Sequence, residues 1–176
     1  MIIDLAIRGR DVLVVGGGGV ASRRVAALLA EGARVTVLAP TLAPSLAALA
    51  AEGALRHLAD KYVAGAPLPP GDWCLLVVAV DDPVVDHDLV ARAQAGGLPV
   101  SSALGTGTVR HLAVRRHGPL ALALDTGGAA PGLAAALADR LAGELTALVS
   151  AGRLAEWQRD GWPRDPHDVA DALGGG

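Results

Sequence analysis

The chain has 176 residues, a net charge of −3 and a single cysteine, and 52% of its residues are hydrophobic although phenylalanine is absent and tyrosine occurs once. A chain of this length holds one full α/β domain with a small appendage, its core built from Ala, Val and Leu. The near-neutral charge gives no basis for nucleic-acid or membrane-surface binding, although 14 of the 15 basic residues are Arg. No apolar run reads as a spanning helix, because the long Ala/Leu stretches are broken by charge and Gly. With no disulfide framework and no visible signal peptide, the expected location is cytoplasmic. Cys74, within Trp73-Cys-Leu-Leu-Val-Val78, reads as a small buried hydrophobe.

Asp11 to Val15 predicts a buried parallel strand, followed by Gly16-Gly-Gly-Gly19 and a helical pattern through Val20, Ala21, Arg24, Val25, Leu28 and Leu29. Gly16-x-Gly18-x-x-Ala21 fits the dinucleotide fingerprint, in which bare backbone lets a phosphate approach N–H groups at a helix start. The competing reading is a plain glycine-rich turn. Glu31-Gly32 closes the helix, and a second strand, Arg34 to Leu38, completes a βαβ unit. Ala39-Pro40-Thr41 stands where an acidic residue would hold the adenine ribose. Backbone groups or the Thr41 hydroxyl must serve instead, and these residues do not choose between NAD and NADP. Arg23 and Arg24 are candidates for a 2′-phosphate, but they belong to the first helix, and a solvated helix face is the preferred reading.

Further along, the pattern predicts a helix from Thr41 to Glu52, a short strand around Ala54 to Leu58, a Pro/Gly loop from Gly65 to Gly71 and an apolar strand from Trp73 to Val80. Asp82 is placed as an N-cap before Pro83, whereas Asp81 falls at a strand's carboxyl end, where open α/β sheets bind ligands. A helix from Pro83 to Ala95 and a strand within Leu98 to Ala103 follow. Asp86, His87 and Asp88 are expected on an exposed helix face, and no cluster shows metal-ligand spacing. Beyond Gly105-Thr-Gly-Thr108 the alternation changes. Val109 to Arg116 and Leu120 to Asp125 read as two strands, Gly132 to Val149 as a long helix, and Asp165, Pro166, Asp168 and Gly174 as the signals of a terminal helix.

The second segment concentrates Arg110, Arg115 and Arg116 with His111 and His117, and no acid lies between Val109 and Pro119. Arginine grips carboxylates bidentately, so a carboxylate-rich substrate fits this stretch; a solvated edge or a dimer contact is the alternative. On a strand, Arg110 and Arg116 would share one face and His111, Arg115 and His117 the other. Thr126-Gly127-Gly128, before the long helix, forms a second candidate anion site, with a plain loop as the alternative reading.

Taken in order, Gly16 to Arg24, Glu31 to Val37 with Ala39-Pro40, Ala79-Val-Asp-Asp82, Gly118-Pro-Leu120 and Thr126-Gly-Gly-Ala-Ala-Pro-Gly-Leu-Ala134 resemble the precorrin-2 dehydrogenase family, which includes the amino-terminal half of siroheme synthase. The resemblance spans about residues 1–145. It implies a Rossmann-type doubly wound parallel sheet (α/β) over 1–108, a small α+β dimerisation and substrate segment over 109–149, and a short helical tail over 150–176. It implies NAD-dependent oxidation of precorrin-2, a carboxylate-rich tetrapyrrole, to sirohydrochlorin by a homodimer; some members also insert ferrous iron. By position, Gly19, Val20, Pro40, Thr41, Val80 and Asp81 match cofactor contacts, beside Gly16 and Gly18.

The chain departs from the family after the strand Pro99 to Ala103, where an aspartate serves as acid/base in a pattern like Asn-Val-Val-Asp and Ser101-Ser-Ala-Leu-Gly105 stands here. The second loop reads Asp125-Thr-Gly-Gly-Ala-Ala-Pro131, and the carboxyl-terminal region is short. Candidate replacements for the proton acceptor are His111, preferred because imidazole titrates near neutral pH, and Asp125. Loss of the aspartate also leaves open a catalytically degenerate carrier or sensor of a tetrapyrrole or nucleotide. An unrelated reductase on the same fold is a third reading.

Overall fold

A computed structural model describes residues 4–118, 120–149 and 151–160. The chain divides between Arg110 and His111 into two compact units. The first contains β1 (Asp11–Val15), α1 (Gly19–Ala30), β2 (Arg34–Leu38), α2 (Pro44–Ala51), β3 (Arg56–Leu58), β4 (Trp73–Val78), α3 (Pro83–Ala95) and β5 (Val100–Ser102). Its five strands are all parallel, in the order β3-β2-β1-β4-β5.

β1 lies at the centre and is buried on both faces, as a strand covered from two sides requires. Val12 and Val14 pack with Ala21, Val25 and Leu28 of α1 and Leu46 of α2. Leu13 and Val15 point the other way, into a cluster with Leu89, Val90 and Ala93 of α3. The chain leaves β1 toward β2 and later returns to β4 on β1's other side, so the order reverses between β1 and β4. That reversal opens a crevice at the carboxyl ends of the strands.

The expected elements recur with adjusted ends. The second helix begins at Pro44 rather than Thr41, because the Ala43 N–H is drawn 2.7 Å onto the carbonyl of Gly17. The fourth strand ends at Val78, and Ala79 to Asp82 line the crevice instead. Asp82 caps α3 as expected, accepting the N–H groups of Val84 (2.9 Å) and Val85 (3.3 Å). The strand expected from Val109 starts at Ala113, because the preceding chain folds back along β5. There the Val109 N–H donates to Val100 O at 2.9 Å and the Val100 N–H to Thr108 Oγ1 at 3.2 Å.

The second unit contains β6 (Ala113–His117), β7 (Leu120–Leu124), α4 (Pro131–Leu148) and α5 (Ala151–Asp160). β6 and β7 pair antiparallel, and α4 packs on them. Arg115 Nε meets Asp139 Oδ1 at 2.5 Å, and His117 Nε2 lies 2.9 Å from Val149 O, so alternate residues of β6 face α4. The signals at Asp165, Pro166, Asp168 and Gly174 lie outside the described residues. Among the described residues, no helix is long and apolar enough to cross a membrane.

Candidate functional site

The four glycines after β1 divide into two pairs with different work. Gly16 has φ +118°, donates its N–H to Leu38 O at 2.9 Å, and has no room for a side chain, since a Cβ would stand 2.1 Å from Ala79 O. A Cβ on Gly17 would stand 2.1 Å from Thr41 O. These two glycines let the turn press against the chain leaving β4 and the chain leaving β2. Gly18 and Gly19 have nothing within 4 Å of a built Cβ, and their open side belongs to the crevice.

Gly18 is the N-cap of α1, and no side chain caps the helix there. Uncapped N–H groups at a helix start, with the positive end of the macrodipole, suit a diphosphate. Ala21 of the fingerprint is fully buried, which lets α1 lie close on the sheet. The cleft has a volume of about 850 Å³. Every residue matched to the cofactor by sequence lines it: Gly16, Gly18, Gly19, Val20, Pro40, Thr41, Val80 and Asp81.

The lining residues outside the matched set include Arg23, Lys61 and Tyr62. Arg23 is exposed, as a solvated helix face requires, and at the start of the second turn of α1 it also lines the cleft. Lys61 and Tyr62 follow β3, and the signal for them was topological: β3 pairs with β2, so the chain leaving it emerges beside Ala39. The Tyr62 hydroxyl lies 2.7 Å from both Asp88 Oδ2 and Ala66 O. Burial, followed by the Asp88 carboxylate, pushes its pKa up to about 12. Asp88 also accepts Arg92 Nε at 2.9 Å and the Gly65 N–H at 3.2 Å, and the arginine contact leads in holding its pKa down to about 2.

The expectation that Asp86, His87 and Asp88 share an exposed face is corrected. Only His87 is exposed. Asp86 is 1% exposed and accepts hydroxyl hydrogen bonds from Ser102 and Thr106, both at 2.6 Å, because α3 turns this residue onto the carboxyl end of β5. Among the described residues, no group of three or more His, Cys, Asp or Glu is gathered as a metal site would need. Burial raises the thiol pKa of Cys74 on β4, consistent with a packing role.

The basic and loop residues of the second segment occupy different surroundings. Arg110 ends the first unit and is exposed, and His111 opens the second and is half-buried; both precede β6, so the strand-face pairing of Arg110 with Arg116 does not hold. Arg115 is engaged by Asp139, while Arg116 lies on the opposite, exposed face of β6. Asp125 is exposed and its Oδ1 accepts the Gly127 N–H at 2.9 Å. Thr126 Oγ1 accepts the Ala130 N–H at 3.1 Å, and Gly127 and Gly128 take φ of +66° and +85°. That loop is therefore a turn stitched by its own side chains ahead of α4.

A parallel sheet with its order reversed at β1/β4, a glycine turn opening a helix and a cleft at the strand ends define a Rossmann-type dinucleotide-binding protein. Residues 3–104 match a family model described as "Putative NAD(P)-binding". Siroheme synthase of Gluconacetobacter diazotrophicus is 38% identical over 153 residues, covering 85% of this chain and 32% of that protein. Precorrin-2 dehydrogenase of Priestia megaterium is 35% identical over 135 residues, covering 73% of this chain and 63% of that protein. The solved structure of SirC, precorrin-2 dehydrogenase, superposes with a TM-score of 0.68 at 32% identity, covering 82% of this chain and 70% of that one. The chain belongs to the precorrin-2 dehydrogenase family. It spans about a third of the length of the siroheme synthases it matches.

Proposed function

We propose that this chain oxidises precorrin-2 to sirohydrochlorin with NAD, in siroheme biosynthesis. The observation that carries the reading is the convergence on one cleft of all eight residues matched to cofactor contacts. The cleft fits the dinucleotide: Gly18 and Gly19 present bare backbone at an uncapped helix start, and Gly16 and Gly17 hold the turn against Ala79 and Thr41. The cofactor supplies the hydride acceptor, and the chain's task is to bind and orient it at the carboxyl end of the sheet and to receive the released proton. His111 and Asp125 are the proposed proton acceptors. His111 is favoured, an imidazole being suited to proton transfer near neutral pH. Arg110, Arg116 and Arg115, with Thr126, Gly127 and Gly128, are proposed to meet the substrate's carboxylates.

The working form is proposed to be a cytoplasmic homodimer. Leu133, Leu137 and Leu141 recur every fourth residue along α4, with 55%, 43% and 37% of their surface exposed. Such a stripe on one helix face suits association with a second copy.

The test is anaerobic incubation of the purified chain with enzymatically prepared precorrin-2 and NAD, followed by the chromophore change to sirohydrochlorin. Conversion that requires both protein and NAD is expected. A second reading, a carrier or sensor that binds without turnover, is favoured by one observation: no carboxylate stands in Ser101-Ser-Ala-Leu-Gly105. Tetrapyrrole binding without conversion would select it.

A further inference from the structure

We infer that the Thr106 hydroxyl, set as a hydrogen-bond acceptor by the buried Asp86 carboxylate, takes a ring N–H of the tetrapyrrole and steadies the positive charge that the ring gains as hydride leaves. The inference rests on the dehydrogenase reading and adds to it a substrate contact within the cofactor-binding unit.

Asp86 is the one charged residue among the buried side chains of the described residues, at 1% exposed. A carboxylate shut away from water is costly unless hydrogen bonds satisfy it. Here each oxygen takes one: Oδ1 accepts the Ser102 hydroxyl and Oδ2 the Thr106 hydroxyl, both at 2.6 Å, the length of charge-assisted bonds. A hydroxyl has a single proton. With that proton spent on Asp86, either oxygen can only accept from any further partner. Ser102 is half-buried and its Oγ already accepts the Leu104 N–H at 2.9 Å, whereas Thr106 is the exposed member of the pair and the one that a ligand can reach.

The pair stands beside the cleft. Ser102 lies opposite Val78 in the parallel pairing of β5 with β4, and the Ala103 N–H donates to Val78 O at 2.9 Å. The residues that follow Val78, namely Ala79, Val80 and Asp81, line the cleft, as does Val85, the neighbour of Asp86. With the diphosphate at the glycine turn and the adenosine ribose against the end of β2, the nicotinamide half of the dinucleotide runs toward β4 and β5. The substrate ring must meet that half for hydride to pass. Thr106 is also held in place from its far side: a Cβ on Gly107 would stand 2.4 Å from Val100 O, and Thr108 Oγ1 accepts the Val100 N–H at 3.2 Å, so the chain there lies against β5.

An oxygen that can only accept, backed by a negative charge, opposes the substrate's carboxylates and selects N–H groups, which a tetrapyrrole carries at the centre of its ring. Removal of hydride leaves the ring positively charged until a proton departs, and its N–H groups become stronger donors. The bond to Thr106 tightens at that moment, and the Asp86 charge, one hydroxyl away, offsets the charge left on the ring without any rearrangement of the protein. Thr106 and Asp86 exchange no atom with the substrate: the hydride goes to the cofactor and the proton to its own acceptor. Asp86 is thus a positioning residue that acts through Thr106.

The test compares wild type with Thr106→Val, Thr106→Ser, Asp86→Asn and the double variant Asp86→Asn/Thr106→Val. Anaerobic turnover of precorrin-2, binding of sirohydrochlorin followed by its absorbance, and calorimetric titration with NAD are measured on each. Thr106→Val is expected to lower kcat about tenfold with a smaller rise in KM, to weaken sirohydrochlorin binding, and to leave the Kd for NAD within about twofold. Thr106→Ser should keep wild-type values. Asp86→Asn keeps the shape but removes the charge behind the hydroxyl; it should also lower kcat, and the double variant should lose no more than Thr106→Val alone. Unchanged turnover and unchanged sirohydrochlorin binding in Thr106→Val would overturn the inference. So would a Kd for NAD raised about tenfold by that exposed substitution, which would assign the hydroxyl to the nicotinamide carboxamide, or losses that add in the double variant, which would leave Asp86 a fastener only. If the wild type binds sirohydrochlorin but converts no precorrin-2, the dehydrogenase reading fails by itself, and the difference in binding between wild type and Thr106→Val still decides the contact.

Discussion

The two units of the chain solve the problem of burial differently. In the first, all twelve of the largest fully buried side chains are gathered, and they fill both faces of the parallel sheet. In the second, the only buried hydrophobic side chains among the described residues are Ala134, Ala138 and Val149, while Val114, Leu133, Leu137 and Leu141 stay exposed. The first unit thus carries its own core and can hold a turn under tight steric control. Among its described residues the second has little interior and leaves a leucine stripe of α4 exposed, the face on which the proposed association rests. Stability and cofactor geometry reside in the first half, and the proposed assembly would rest on the second.

The sharpest way to break that contrast is within the glycine turn. Gly16→Val puts a β-branched side chain at φ +118° with its Cβ 2.1 Å from a backbone carbonyl, so the sheet's carboxyl edge must part. A loss of about 3 kcal/mol or more in denaturant unfolding is expected, together with loss of NAD binding. Gly18→Ala meets no atom within 4 Å, and its unfolding midpoint should stay close to wild type while NAD binds more weakly. Equal destabilisation by the two would erase the distinction between packing and ligand glycines. Next in size is Leu137→Glu on α4, which charges the middle of the stripe. Sedimentation should show a dimer becoming a monomer with the first unit still folded, and a wild-type monomer at micromolar concentration would remove the assembly role.

The same contrast explains what was legible beforehand. β1, β2 and α3 fell within their expected limits because each has a complete local signal: an apolar run, or the cap Asp82 followed by Pro83. The eight residues matched to cofactor contacts fall on one cleft, Gly16 and Gly18 through the fingerprint of the turn and the others through their places in the family's motifs. Lys61 and Tyr62 were missed because only the pairing of β3 with β2 brings them to the cleft, and pairing between distant segments leaves no mark at residue 61. Asp86 was misjudged for a related reason. A carboxylate in a helical pattern reads as solvated until the partners that satisfy it, Ser102 and Thr106, arrive from another strand's end. In the second unit the strand start shifted to Ala113 because the chain from Ala103 to Val109 doubles back on β5.

Asp86 gives a smaller and more local effect. Asp86→Ala leaves the Ser102 and Thr106 hydroxyls without their acceptor and opens a small void beside β5, for an expected loss of about 1–3 kcal/mol. Since Ser102 Oγ also accepts the Leu104 N–H at 2.9 Å, amide exchange should quicken in residues 103–107 before it does in β1. Uniform exchange through the first unit would mean that Asp86 is part of the global core rather than a fastener of one edge.

The smallest effect is the pH response of the Tyr62–Asp88 pair. Tyr62 is raised in the folded chain from 10.0 to about 12, so below pH 10 it is protonated in both states and the bond to Asp88 contributes fully. Between about 10 and 12 the unfolded chain loses that proton while the folded chain keeps it, and stability falls. Asp88 runs the other way: lowered from 3.8 to about 2, it contributes above the unfolded value and loses its contribution as pH drops through that window. Tyr62→Phe should therefore flatten the alkaline limb of a plot of unfolding midpoint against pH and largely retain the acid limb, because Arg92 leads the causes that hold Asp88 down. An alkaline limb identical to wild type would place the titration on another group and free the chain around Lys61 from this anchor.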